Sequence, residues 1–468
     1  MKRASWKYAL VVALVLPALL VGCAGTPPAT EEPPPPPPPA TEEMVEPTSE
    51  PTGPETMLEG DPTGQSIVFW HAMSSGANLD GMTAVVDQFN AENEYGITVE
   101  AVAQGSQSEL ETAVNGAIAT GELPSMTMGF PNGLVRWHGL DVIRGLNDFI
   151  EDPVYGLTAE ELGAIYAGPY SSGTLPDGTQ VGIPMHQSAQ VIFYNHTWAQ
   201  ELGFDGPPAT SAEFMEQACA AAEANNNDDN PDNDGTGGYV YFPDASMVSP
   251  WIWAFDGEII SEDGTGYNLN SEEALAVAMY FKDLADNGCI LFTPSFPNPE
   301  FAARQAIFAT SSTAGQPFQQ AAMDEVGNAD VWGAIPFVGP NGTQVVDAFG
   351  QMIGIVSTNP DQDLASWIFL KYLTSAETQS EWIGYTGYFP SQTTTDVGTR
   401  ADEDAIWAAA LALLEVGKAE PNLAAHGAVR GAIRDAYFAV LDAEDEAAVI
   451  AILEELNQTA ADLVAETE

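Results

Sequence analysis

The chain has 468 residues and carries 67 Asp and Glu against 12 Lys and Arg, a formal net charge of -55 at pH 7. Charge of this sign repels a phosphate backbone and leaves no basic patch, which excludes nucleic-acid binding. The hydrophobic fraction of 45% is that of a globular protein. Because single cores stop growing at about 250–300 residues, this length predicts two domains.

The N-terminus predicts export. Basic residues at positions 2, 3 and 7 precede an apolar stretch over 9–21, which ends in Leu-Val-Gly and Cys23. This order is typical of a secretory signal and resembles a bacterial lipobox. We therefore expect removal of 1–22 and lipid attachment at Cys23, with more than one chain because one acyl chain anchors weakly. An uncleaved anchor is the alternative, although spanning a bilayer takes about 20 apolar residues.

The segment that follows predicts a tether. Proline is unbroken over 33–39, and Pro, Thr, Glu and Ser dominate up to residue 64. Proline runs adopt extended polyproline II, and a segment with so little to bury stays disordered. We expect 23–64 to hold a folded body off the membrane. A docking site for a proline-reading partner is the alternative.

The body alternates predicted strands and helices. Strands are predicted over 65–71, 97–103 and 125–130, with helices over 78–93 and 108–120 between them. Such alternation is typical of a parallel α/β sheet.

The later elements continue this pattern. Two strands around a polar bend are predicted over 180–195. The others are helices over 209–223, 272–287 and 363–373, strands over 306–311 and 331–338, and a helical tail over 405–415, 427–441 and 446–464. Two α/β lobes fit these elements.

One further feature concerns the cysteines of the body. Cys219 and Cys289 form an even pair in an oxidising compartment, which predicts a disulfide, with two buried free thiols as the alternative.

The loop 230–236 places oxygen donors at alternate positions and a glycine at the sixth, the spacing of calcium loops. Tyr241 stands where the usual glutamate would be, so Asp228 or Asp244 would have to substitute. A solvated loop is the alternative. The candidate ligands are Asn230, Asp232, Asp234 and Thr236.

Several motifs resemble the family 1 extracellular solute-binding proteins, above all their glycerol-3-phosphate-binding branch. These are FWH with Met73 and Gly76 at 69–76, VVDQFNAEN at 85–93, Ile183-Pro184 with VIFYN at 191–195, and TGYFP at 386–390. The resemblance covers nearly everything from Gln65 onward.

The resemblance implies a two-lobed, periplasmic-binding-protein-like α/β fold of class II type, with a hinge and an interlobe cleft that encloses the ligand. We expect lobe 1 at 65–187 plus about 330–376, and lobe 2 at 188–329 plus about 377–468. Closure of the lobes would be a hinge motion driven by tighter ligand binding in the closed state.

The resemblance also implies ligand contacts at Ser188, Gly350, Tyr388 and Arg430, and at a serine that is Ser311 or Ser312. Arg434 is the rival to Arg430. Nearby aromatic and polar side chains complete the predicted site, which comprises Trp70, His71, Ser188, Trp251, Trp253, Ser312, Gly350, Tyr388 and Arg430. Each also has a structural interpretation: the tryptophans and His71 could be core, Ser188 a turn residue, and Arg430 the partner of an acid such as Asp435.

Two departures from that branch alter the expected pocket. Its tyrosine after the second strand is replaced by Gly105-Ser106-Gln107, and its glutamate near the third strand by Pro131-Asn132. We therefore expect a sugar or oligosaccharide at least as readily as a glycerophosphate.

Enzyme motifs are missing from the sequence: it contains no HExxH, no GxSxG and no P-loop. The alternatives to a binding protein are a glycoside-processing enzyme and a surface adhesion lipoprotein. We expect a monomer that needs no cofactor, anchored outside the cytoplasm in the periplasm or on the cell surface, and working with ABC importer permease subunits.

Overall fold

The computed structural model describes residues 55–241, 245–293 and 296–467. The export signal, Cys23 and most of the predicted tether lie outside these residues. The last part of the predicted tether is packed against the body: Met57 N donates to Asp152 at 2.8 Å, and Asp61 N donates to Asp361 at 2.8 Å. The ordered body therefore begins before residue 65.

Five short strands form the sheet of the first lobe. They are β1 (Ser66–His71), β2 (Thr98–Ala103), β3 (Met126–Gly129), β4 (Ile183–Pro184) and β12 (Met352–Ile355), in the order β2-β1-β3-β12-β4. The pairs of β1 with β2 and β3 are parallel, whereas β12 runs antiparallel to β3 and β4.

Nine strands form the sheet of the second lobe. They are β5 (His186–Asn195), β6 (Gly237–Tyr241), β7 (Ile290–Phe292), β8 (Ala306–Ser312), β9 (Trp332–Ile335), β10 (Phe337–Val338), β11 (Gln344–Phe349), β13 (Phe389–Pro390) and β14 (Gly417–Lys418). The main order is β10-β11-β5-β8-β6-β7, with β9 and β13 on β5 and β14 on β11. All ten residues of β5 are buried, which makes this strand the centre of the lobe.

Helices cover both sheets. Those before the second lobe are α1 (Gly76–Glu92), α2 (Gln107–Thr120), α3 (Pro131–Gly139), α4 (Asn147–Ile150), α5 (Ala159–Ala164) and α6 (Ala167–Ser172). The next are α7 (His196–Glu201), α8 (Ser211–Asn226), α9 (Ser249–Ala254), α10 (Glu272–Asp286), α11 (Asn298–Ala302) and α12 (Gln316–Val326). The last are α13 (Pro360–Leu373), α14 (Ala376–Tyr385), α15 (Arg400–Glu403), α16 (Ala405–Ala412), α17 (His426–Leu441) and α18 (Glu446–Ala465).

Local chemistry explains where several helices begin. Ser106 and Glu109 form a capping box at the start of α2, and Gly121, with φ 78°, caps its C-terminus. Such a box satisfies two otherwise unpaired N–H groups, and glycine adopts positive φ without strain. Asn359 caps α13, whose first residue is Pro360. Proline is favoured at the first position of a helix, so α13 begins at Pro360 and not at residue 363 as predicted.

The structure corrects the predicted boundaries of the lobes. Residues 332–349, expected in the first lobe, pair within the second sheet, and the chain returns to the first sheet at Met352. Helix α14, expected in the second lobe, buries Trp382 and Ile383 in the core of the first. The two-lobed α/β architecture itself is confirmed.

The disulfide prediction is also confirmed. Cys219 on α8 and Cys289, which precedes β7, are bonded, with their Cα atoms 4.7 Å apart. Within the described ranges, no helix has the length and apolarity needed to cross a membrane.

Candidate functional site

The lobes are joined where the chain passes between the sheets. One passage follows β4 at His186, and another is Phe349 to Gln351 between β11 and β12. The two passages touch, because a Cβ on Gly350 would lie 2.1 Å from the carbonyl oxygen of His186. Glycine is therefore required at position 350 by the close approach of the two segments. This packing role accounts for Gly350 without a ligand.

An uncharged cluster sits at this joint. The ring of His186 packs against that of Tyr388 at a tilt of 31°, with centroids 3.8 Å apart, and stacks on that of Trp382 at 5.8 Å. Its Nε2 donates to Gln351 Oε1 at 2.7 Å, and Gln351 Nε2 donates to Gln107 on α2 at 2.8 Å. Burial lowers the pKa of His186 to about 3 and raises that of Tyr388 to about 12. Both rings therefore stay neutral at physiological pH.

The carboxyl ends of the first-lobe strands face the joint. Phe130, directly after β3, meets Phe349 of the second lobe edge to face, with centroids 6.2 Å apart. His71 ends β1 and is buried, and its Nδ1 accepts from Met73 N at 3.2 Å. Burial lowers the pKa of His71 to about 4, so the ring is neutral. Ligands of open α/β sheets bind beyond this edge of the strands.

A second point of contact is made by the segment before α17. Asn422 Nδ2 donates to the carbonyl oxygen of Ser172 in the first lobe at 3.1 Å. A Cβ on Gly427 would lie 3.4 Å from Asn132 and 3.8 Å from Glu111, both in the first lobe. The start of α17 therefore lies against α2 and α3, at the boundary between the lobes.

Arg430 stands one turn further along α17 and is ion-paired with Glu420. His426 hydrogen-bonds Glu420 through Nε2 at 3.1 Å and the hydroxyl of Tyr267 through Nδ1 at 2.8 Å. Burial alone would raise the pKa of Glu420, but the charges of Arg430 and His426 outweigh burial and hold it below its usual value. We call Glu420, His426, Arg430 and Tyr267 the Glu420 cluster.

The structure does not place every predicted site residue at the cleft. Trp251 is fully buried on α9, where Phe214, Tyr280 and Phe337 surround its ring. This tryptophan is a core residue, and its assignment to the ligand site is wrong. Ser188 is also fully buried, and its hydroxyl hydrogen-bonds Thr313 at 3.0 Å inside the second lobe.

Three of the remaining predicted residues line a cavity or are partly exposed. Trp253 is nearly buried, yet it lines a cavity of 390 Å³ with Asp256, Thr343 and Lys418 in the second lobe. Trp70 is half-buried near the end of β1, and Ser312 is half-buried at the end of β8. Helix α9 explains the two tryptophans, because residues two apart on a helix point in different directions.

Sequence reasoning missed Phe130, Phe349, Gln107, Gln351 and Glu420. Phe130 is the last residue of the predicted strand 125–130, and Gln107 lies in the short segment after the predicted strand 97–103. Ligand-facing residues of α/β sheets lie at this end of the strands. Phe349 and Gln351 flank Gly350, which the resemblance had singled out. Nothing local in the sequence marks Glu420 as the partner of Arg430.

The predicted calcium loop closes on itself. Asp228 accepts from Asn230 N at 2.7 Å and from Asn233 Nδ2 at 2.9 Å, and Asn230 Oδ1 accepts from Asp232 N at 3.2 Å. The part of the chain that the structure describes contains no group of three or more His, Cys, Asp or Glu able to hold a metal ion. Calcium binding by Asn230, Asp232, Asp234 and Thr236 stays a prediction.

The chain is similar in sequence to known solute-binding proteins. Residues 84–412 match the family described as bacterial extracellular solute-binding protein. The sn-glycerol-3-phosphate-binding periplasmic protein UgpB of Agrobacterium fabrum is 30% identical over 156 residues, which are 32% of this chain and 34% of that protein. The chain thus covers about a third of this curated relative.

Solved structures share the fold. UgpB from Mycobacterium tuberculosis in complex with glycerophosphocholine has a TM-score of 0.72 at 16% identity, covering 86% of this chain and 98% of that one. The sugar-binding protein MalE from Xanthomonas citri has a TM-score of 0.70 at 20% identity, with coverages of 86% and 98%. At these identities the likeness extends to the fold alone.

Proposed function

The chain belongs to the bacterial extracellular solute-binding proteins, and from that premise we propose that it is the substrate-binding component of an ABC importer. It captures a small hydroxyl-rich solute, a sugar, an oligosaccharide or a glycerophosphate-like molecule, in the cleft between its lobes. It then delivers the solute to permease subunits.

One observation carries the proposal: the contacts between the lobes converge on uncharged polar and aromatic side chains. Gln107 and Gln351 offer amide donors and acceptors, and Phe130, Phe349 and Tyr388 offer ring faces and edges. Hydroxyl groups need such partners when they leave water, and C–H surfaces of a polyol pack against rings. The chemistry of the cleft matches that of a polyhydroxylated solute.

The joint also supports closure around the solute. The passages at His186 and Gly350 are short and packed on each other, so lobe motion concentrates at a few backbone positions. A solute that touches both lobes binds the closed state more tightly and shifts the population toward it. Asn422 and Gly427 contact the first lobe in this arrangement, on the side of the molecule where the lobes would close around the solute.

Titration with maltose, maltotriose, sn-glycerol 3-phosphate and glycerophosphocholine tests the proposal. We expect at least one to bind, and Tyr388→Phe to weaken that binding about three- to tenfold, the worth of one hydrogen bond. Within the described residues the Tyr388 hydroxyl makes no hydrogen bond, so its loss should spare the fold. Isothermal titration calorimetry measures both affinities.

Tyr194→Phe is the matched control. The Tyr194 hydroxyl donates to Gly206 at 2.9 Å inside the second lobe, so its removal should lower stability and leave affinity unchanged. Equal affinities for Tyr388→Phe and the unmodified protein would contradict the placement of the solute at Tyr388. Binding by none of the four compounds would contradict the proposed ligand class.

Lipid anchoring through Cys23 completes the proposal, with residues 1–22 removed on export. In a bacterial host, Cys23→Ser should move the protein from the membrane fraction to the soluble extracytoplasmic fraction. The double variant Cys219→Ser, Cys289→Ser is the control, because it removes both cysteines of the body while keeping Cys23, and it should leave the protein in the membrane fraction. Retention of the Cys23→Ser protein in that fraction argues against the anchor.

A further inference from the structure

Every basic side chain of the folded body is neutralised by a carboxylate. Three of the 12 Lys and Arg precede residue 23, and each of the other nine is ion-paired with Asp or Glu in the structure. The longest of these contacts joins Arg400 to Asp404 at 3.9 Å. An anionic solute therefore finds each Lys and Arg of the body already engaged.

Two of these pairs border the cleft. On the first lobe, Arg136 donates to Glu111 at 2.8 Å. On the second lobe, Arg430 donates to Glu420. Gly427, one turn before Arg430, lies close to Glu111. The arginine in each lobe that could receive a phosphate at this boundary thus already holds a glutamate.

Glu420 is held more firmly than a surface acid. Its side chain is only 12% exposed, and both Arg430 and His426 contact it. Tyr267 in turn hydrogen-bonds His426 and stacks parallel to its ring at 9°. A carboxylate in this position makes the same charge-assisted contacts with a guanidinium that a phosphate oxygen would make.

We propose that Glu420 determines the ligand specificity of the cleft: its carboxylate occupies Arg430, so solutes that carry phosphate are rejected and uncharged polyhydroxylated solutes are accepted. The inference rests on the proposed function, since it assigns the solute to the cleft beside α17. A phosphate that displaced Glu420 would leave a buried carboxylate next to a second anion. Like charges and lost partners both oppose that exchange.

Glu420→Gln tests the proposal because it keeps the shape and removes the charge. The probes are inorganic phosphate, sn-glycerol 3-phosphate and maltose, titrated by calorimetry. We expect the unmodified protein to show no measurable binding of either phosphate probe. The variant should bind sn-glycerol 3-phosphate with an affinity at least tenfold above the detection limit set for the unmodified protein. The double variant Glu420→Gln, Arg430→Gln should lose that gain.

Glu258→Gln is the control for net charge. It removes the same charge from the pair of Glu258 with Lys418, which are 2.6 Å apart and more exposed. We expect this variant to gain no affinity for either phosphate probe. A gain equal to that of Glu420→Gln would mean that total charge sets the preference, and would overturn the proposal.

Two further results would overturn it. In the first, the unmodified protein binds sn-glycerol 3-phosphate and Arg430→Gln weakens that binding tenfold. This measurement also tests the proposal if Glu420→Gln does not fold. The other is a folded Glu420→Gln protein with no gain in phosphate affinity. A gain without any binding of maltose or the other sugars would support the role of Glu420 and contradict only the proposed sugar ligand.

Discussion

Replacing Arg430 with glutamine is expected to lower the free energy of unfolding by about 3 kcal/mol. The substitution removes the guanidinium partner of the buried Glu420 carboxylate, and breaking such a pair costs about 3–5 kcal/mol. The lower end applies because the Arg430 side chain is 29% exposed. Urea unfolding of both proteins at pH 7 measures the difference.

The double variant Glu420→Gln, Arg430→Gln provides the control. It removes both charges, so most of the lost stability should return. If the double variant is as unstable as Arg430→Gln, the loss comes from packing of the arginine stem and not from the stranded carboxylate. If Arg430→Gln is as stable as the unmodified protein, the ion pair contributes nothing.

Lowering the pH should also reveal how much the ion pair of Glu420 with Arg430 contributes to stability. The pKa of Glu420 is held below its usual value in the folded protein, whereas the pKa of a glutamate in the unfolded chain is about 4.3. The stability from this group is therefore fully present above that pH and is lost as pH falls below it. Arg430→Gln should flatten the decline of stability as the pH falls from about 4 to about 2, because the folded-state pKa of Glu420, about 2 with the ion pair intact, rises without it.

Local signals predicted every described helix of 14 residues or more and strands β1, β2 and β3 of the first lobe, but they missed β12. Helices α2 and α10 are preceded by Ser106 and Ser271, whose side chains cap the helix N-termini, and their apolar residues recur at helical spacing. Such signals depend on neighbours in the sequence. The short helix α9 was missed because six residues with proline near the start show no clear periodicity.

The lobe boundaries could not be predicted in the same way. Strands β9, β10 and β11 join the second sheet and β12 joins the first. All four are short and largely apolar, and their own residues do not indicate which sheet they join. Their assignment depends on pairing with distant strands, such as Asp347 with Gln190 in β5 and Ile353 with Met128 in β3. Pairing of this kind is a property of the assembled sheet.

The partner of Arg430 shows the same limit within the site. Asp435 was the expected acid, but the structure pairs Asp435 with Arg434 at 2.8 Å and gives Glu420 to Arg430. Glu420 precedes α17, so the helical spacing rules for charged pairs do not reach it. The resemblance placed an arginine in the cleft, and only the folded chain shows what already binds it.

The disulfide is expected to contribute about 4 kcal/mol to stability. Cys219 and Cys289 are separated by 70 residues, and closing a loop of that length restricts the unfolded chain by about this amount in the chain-entropy model. The bond joins α8 to the strand pair β6 and β7, where Tyr239 N donates to the carbonyl oxygen of Cys289 at 2.8 Å. We expect the variant Cys219→Ala, Cys289→Ala to unfold at lower denaturant concentration, measured by urea titration.

Reductant separates the effect of the bond from that of the side chains. The unmodified protein should approach the stability of the double variant when reduced, and the double variant should not respond to reductant. Solute affinity should stay unchanged in folded protein, because Cys219 on α8 and Cys289 before β7 are bonded to each other inside the second lobe. Equal unfolding midpoints with and without reductant, in protein whose reduced thiols react with a labelling reagent, would show that the bond adds no stability.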